Sequence, residues 1–85
     1  MGPAQLIDAI VELAERLDIE VRQQPLGGGG GGLCRLRGKL IMFIDTEADS
    51  QQMLWRLCRD LSRELDLQNV YMLPQLREAI ERYGR

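Results

Sequence analysis

Six consecutive glycines, Gly27 to Gly32, interrupt this 85-residue chain and limit what it can fold into. Glycine loses more backbone freedom on ordering than any other residue, so neither a helix nor a packed strand interior runs comfortably through such a stretch. The run reads as a flexible connection within one small domain. A phosphate cradle is the functional alternative, but cradles of that kind open a helix, and the following Leu33-Cys34-Arg35-Leu36-Arg37 alternates like a strand. A third reading lets the bare backbone pass close to a substrate or a partner strand.

Before the glycines, Leu6, Ile10, Leu13 and Leu17, with Ile7 and Ala14 beside them, recur on one helical face. The spacing predicts a helix over Pro3 to Leu17, with Pro3 in the first turn, where its missing N–H leaves nothing unpaired. Ile19 to Gln23 alternates as a strand and is closed by Pro25. After the glycines, Arg37-Gly38-Lys39 marks a tight turn between Leu33 to Leu36 and Lys39 to Asp45, which predicts an antiparallel hairpin. A two-residue turn puts Cys34 and Leu36 on one face with Ile41 and Phe43, and Leu33, Arg35 and Arg37 on the other with Leu40, Met42 and Ile44. The first set is expected to meet the helices. The run Leu40 to Ile44 is apolar on both faces, which fits a central strand or a sheet whose second face another chain covers.

Asp49 with Gln52 resembles a capping box ahead of a helix from about Ser50 to Leu65, buried along Met53, Leu54, Leu57, Cys58, Leu61 and Leu65. Arg56, Arg59 and Arg63 lie on its other side with Asp60 and Glu64 interleaved, a pattern that reads as a charge-paired solvated face. Pro74 opens a last helix that docks Leu76, Ala79, Ile80 and Tyr83 and ends at Gly84. Trp55 fits either the core or an exposed anchor. The fold class is therefore α+β, a three-stranded antiparallel sheet packed by helices in the order α-β-β-β-α-α, one domain over residues 1–85.

Charge and composition narrow the function. Eleven basic against thirteen acidic side chains give a net charge of −2, no electrostatic footprint for nucleic acid. The chain has no histidine, which removes the commonest zinc ligand and the usual general base. Cys34 and Cys58 lack zinc-knuckle spacing and read as two buried thiols. The first residues carry no basic stretch and no apolar run approaches a membrane span, so a cytoplasmic location without membrane contact is expected. Ser50, Ser62 and Thr46 have no base beside them. Asp45, Glu47 and Asp49 cluster ahead of the second helix, where carboxylates cap it, and no EF-hand spacing supports a cation there. No catalytic, cofactor or metal residue is assigned.

The stretch Gly31-Gly32-Leu33-Cys34-Arg35-Leu36-Arg37-Gly38, the Ile44-Asp45 pair after it, and L-D-L-x-x-V-Y-x-L-P-x-x-R-E-x-I over Leu65 to Ile80 resemble a family of short, uncharacterised bacterial proteins. That resemblance implies a family label and no activity. The order of elements is also similar to the N-terminal part of minimal zincin metallopeptidases, whose capped helix carries H-E-x-x-H. Here Arg59-Asp60-Leu61-Ser62-Arg63 stands in that place, and two permanent cations would repel the metal. The second resemblance thus implies a peptidase-like scaffold without peptidase chemistry.

The expectation is a non-enzymatic interaction or structural module that binds a protein partner or a second copy of itself through Leu33, Leu40, Met42 and Ile44. The rival class is a small-molecule binder or thiol-dependent enzyme with Cys34, Asp45 and Asp49 around one cleft beside the glycine loop. A third reading is a catalytically dead scaffold that holds a peptide along a sheet edge.

Overall fold

Local chemistry sets where each element starts and stops. The computed structural model describes residues 1–84, with α1 at Pro3–Arg16, β1 at Glu20–Gln24, β2 at Gly32–Leu36, β3 at Lys39–Asp45, α2 at Ser50–Glu64 and α3 at Pro74–Tyr83. The class α+β and the order α-β-β-β-α-α hold as read. At the end of α1, Asp18 adopts φ 58°, its N–H donates to the Glu15 carbonyl at 3.2 Å, and the Ile19 N–H returns to the Ala14 carbonyl at 2.9 Å. This left-handed exit pairs the last helical carbonyls and turns the chain back under the helix. At α2 the Asp49 carboxylate accepts the Gln51 and Gln52 N–H groups at 3.1 and 3.2 Å, the first half of the capping box.

The sheet order is β1-β3-β2, with the run Leu40 to Ile44 in the central strand. β2 and β3 form the antiparallel hairpin, in the register Leu33 to Met42 and Cys34 to Ile41 that a two-residue turn implies. Both turn residues have positive φ, Arg37 at 51° and Gly38 at 81°, the twist that suits a tight hairpin. β1 runs parallel to β3, so the sheet is mixed where an all-antiparallel one is expected from sequence. The reason lies in the glycine segment. A tight turn would have laid β1 against β2, whereas residues 25–31 arch over the end of β3 and set β1 down on its far side.

All three helices share one side of the sheet. Ile10 and Leu13 of α1 and Met53, Leu54, Leu57 and Leu61 of α2 share one core with Met42 and Ile44, Leu76 joins it where α3 packs on α2 and α1, and Val21, Leu33 and Leu40 pack at the margins. This corrects the facing read from sequence: Leu33, Leu40, Met42 and Ile44 meet the helices and cannot serve as an outward interface, Met42 being 0% exposed. The set Cys34, Leu36, Ile41 and Phe43 faces away. Alternation separates the two sets correctly, but with β3 apolar on both sides it does not say which set turns inward. Truncating Leu57, wholly enclosed between the sheet and the other helices, would cost about 2–5 kcal/mol. Arg77 staples the connection ahead of α3, donating from Nη1 to the Leu67 carbonyl at 3.3 Å and from Nη2 to that of Val70.

Candidate functional site

Asp45 ends the central strand directly beneath the glycine arch and is the one buried charged residue among those described, 2% exposed. Its Oδ1 accepts the N–H groups of Leu26 and Glu47, both at 2.9 Å, and its Oδ2 those of Gly28 at 2.7 Å and Gly30 at 3.1 Å. Burial alone would raise its pKa, but the four backbone donors outweigh burial and hold the carboxyl below its ordinary value of 3.8. Glu47 Oε1 takes the Gly27 N–H at 3.1 Å, Arg56 Nη1 donates to the Gly30 carbonyl at 2.8 Å, and Asp60 Oδ2 accepts the Leu33 N–H at 3.0 Å. The segment read as slack therefore has anchors at both ends and in the middle. It is a backbone nest of the kind that holds anions, filled by the chain's own carboxylate.

Two glycines explain why the nest must be bare. At Gly31, with φ 99°, a Cβ would lie 2.6 Å from Met53 Cε and 3.1 Å from the Phe43 carbonyl. At Gly32, with φ 120°, it would strike the Asp60 carboxylate that holds the next residue. Both close approach and a left-handed backbone thus require glycine there.

The cleft read from Cys34, Asp45 and Asp49 is not assembled. Asp45 is enclosed by the arch, Asp49 caps α2, and Cys34 stands exposed on β2, paired with Ile41 four residues before Asp45 on β3. Of the two thiols read as buried, only Cys58 is, and burial pushes it up to about 12. Among the described residues no three potential ligands gather to hold a metal ion. In the stretch compared with H-E-x-x-H, the Asp60 carboxylate is engaged by the Leu33 N–H and by Arg59 Nε at 3.2 Å.

Two surfaces stand out. On the helix-free side of the sheet, exposed Cys34 and Leu36, the latter at 48% exposure, and half-buried Phe43 form an apolar strip around a buried Ile41. Glu20, Arg22 and Lys39 edge it; Arg22 is ion-paired to Glu20 and stacked 5.8 Å over the Phe43 ring. The second is a groove of about 600 Å³ at the hairpin end, with Leu17, Ile19, Leu40, Leu65, Leu67 and Val70 in its lining and Asp18, Glu20, Asp66, Arg35 and Lys39 also bordering it. No helix is long and apolar enough to cross a membrane among the described residues. Comparison of the chain with family models, with curated proteins and with solved structures finds no match.

Proposed function

We propose that this chain is a non-catalytic interaction module that pairs with a second copy of itself through the helix-free face of its sheet. The observation that carries this is the one-sided distribution of the helices, which leaves Cys34 and Leu36 of an 85-residue domain open to water and Phe43 only half-covered. A chain this short buries only about 60 to 65% of its unfolded surface, so covering an apolar strip has a large relative effect on stability. The strip carries charges of both signs at its margin, Glu20 against Arg22 and Lys39, so a two-fold copy meets an edge of the same mixed character rather than a like-charged one. Sedimentation equilibrium at tens of micromolar should give a species of about twice the 9.7 kDa chain mass. Leu36→Glu should return it to the monomer with its circular dichroism intact; a monomeric parent chain overturns the reading.

A second reading, small-molecule binding, is favoured by the hairpin-end groove, whose volume and apolar lining fall in the range of ligand pockets. It is tested by whether an apolar fluorescent dye binds saturably and is displaced on Leu40→Glu substitution.

A further inference from the structure

We propose that a groove between two helices, formed by Gln52, Trp55, Arg56 and Arg59 of α2 with Arg82 and Tyr83 of α3, docks an acidic peptide segment of a partner protein. Positions 52, 55, 56 and 59 fall on one stripe of α2, away from the buried stripe of Met53, Leu54, Leu57, Cys58 and Leu61. The Tyr83 ring comes to 6.0 Å from that of Trp55, tilted by 53°, and the pair walls an open concavity of about 640 Å³.

Charge decides the occupant. The chain as a whole carries −2, yet this groove is lined by three guanidinium groups and no carboxylate. The sequence interleaves Asp60 and Glu64 with the arginines, which reads as mutual neutralisation. In the fold those carboxylates are mostly drawn away: Asp60 holds the Leu33 N–H with Oδ2 and pairs Arg59 Nε at 3.2 Å with Oδ1, leaving the Arg59 Nη groups outside that pair, and Glu64 reaches Arg35 of β2 at 3.9 Å. Arg82 forms no ion pair among the described residues, and Arg56 uses one nitrogen on the Gly30 carbonyl. The forked donors left over match carboxylates in pairs.

Trp, Tyr and Arg are also the residues that dominate binding energy at protein interfaces, and Trp55 stands 47% exposed beside the arginines. The site is a shallow channel across two helices, which suits an extended polypeptide with one aromatic or aliphatic anchor against Trp55. A long polyanion such as nucleic acid would run past the groove onto a chain of net negative charge, whereas a short peptide feels mainly the charges within a screening length of about 8 Å.

Trp55 is the only tryptophan, so its emission reports on the groove directly. The whole chain is titrated with a short Glu-rich peptide carrying one central phenylalanine, with its Lys-rich counterpart, with inorganic phosphate and with ADP. The expected result is a saturable change in emission with the acidic peptide alone, weakened about fivefold or more by Arg82→Gln and by Arg59→Gln. Calorimetric titration of the same variants, whose circular dichroism is checked first, gives a reading independent of the fluorophore. The proposal is overturned by the absence of a response to the acidic peptide, by an equal response to phosphate or ADP, or by arginine variants that dissociate a self-associated parent, which would make the groove a contact between copies. Because the groove is lined by α2 and α3 alone and by no residue of the sheet, Leu36→Glu should leave peptide binding unchanged.

Discussion

Replacing the Asp45 carboxylate with a carboxamide removes one acceptor oxygen and turns an NH2 group toward backbone donors that already point inward. Asp45→Asn should therefore lower the melting temperature and strip amide-exchange protection from Leu26, Gly28 and Gly30, read by hydrogen exchange. Asp49→Asn should change little, since asparagine caps a helix about as well as aspartate. Unchanged protection in Asp45→Asn would mean that the arch does not depend on the carboxylate. The same residue sets an acid limit. Its carboxyl sits below 3.8 in the folded chain, so the fold binds that proton less readily than the unfolded chain does. The stability Asp45 supplies is complete above about pH 3.8 and is lost as the pH falls through the lower folded value. Urea midpoints across that range should fall in the parent chain and flatten in Asp45→Asn. Sequence placed Asp45 at the strand end, among carboxylates ahead of a helix, and no further. Three of its four partners lie 15 to 19 residues earlier along a glycine path that no side-chain pattern encodes.

At the scale of elements, periodicity read the helices and strands to within a residue or two, because each is an amphipathic or alternating stretch bounded by proline, glycine or a capping aspartate. The parallel placement of β1 and the facing of the sheet were not legible, since both depend on how one loop travels. Arg35 on the core side and Leu36 on the open side are the misleading pair, a charged residue at the inner edge and an apolar one outward. The hairpin turn carries a cost that the backbone angles disclose. Arg37 at φ 51° occupies a position that asparagine or glycine takes with less strain, so Arg37→Asn should stabilise the fold by about 1 kcal/mol in chemical denaturation. In the arch, Gly29 has open space at its Cβ position and no left-handed φ, whereas Gly32 has neither advantage. Gly29→Ala should be neutral or stabilise by up to about 1 kcal/mol through the unfolded chain, and Gly32→Ala should destabilise clearly. Equal effects at the two positions would show the arch to be looser than its hydrogen bonds imply.

For the molecule as a whole, the helix-free sheet face and the two cysteines make self-association measurable by chemistry. Cys34 belongs to the open strip, while Cys58 is enclosed in α2 with its thiol pushed up to about 12. At pH 8 an aromatic disulfide reagent should therefore consume one thiol quickly, and Cys34→Ser should abolish that phase. The second thiol should react only as fast as the chain opens, because the thiolate is the nucleophile and burial withholds it. If two copies pair through the strip, each Cys34 is covered in the dimer. The fast phase should then slow as protein concentration rises, with a midpoint that matches the dissociation constant from sedimentation, and the melting temperature should climb over the same range. Leu36→Glu should erase both dependences while leaving the Cys58 rate tied to unfolding. A Cys34 rate independent of concentration in a chain that sediments as a dimer would move the contact off this face, most directly to the free edge of β2 or to the arginine groove, and would separate the existence of a dimer from the surface assigned to it.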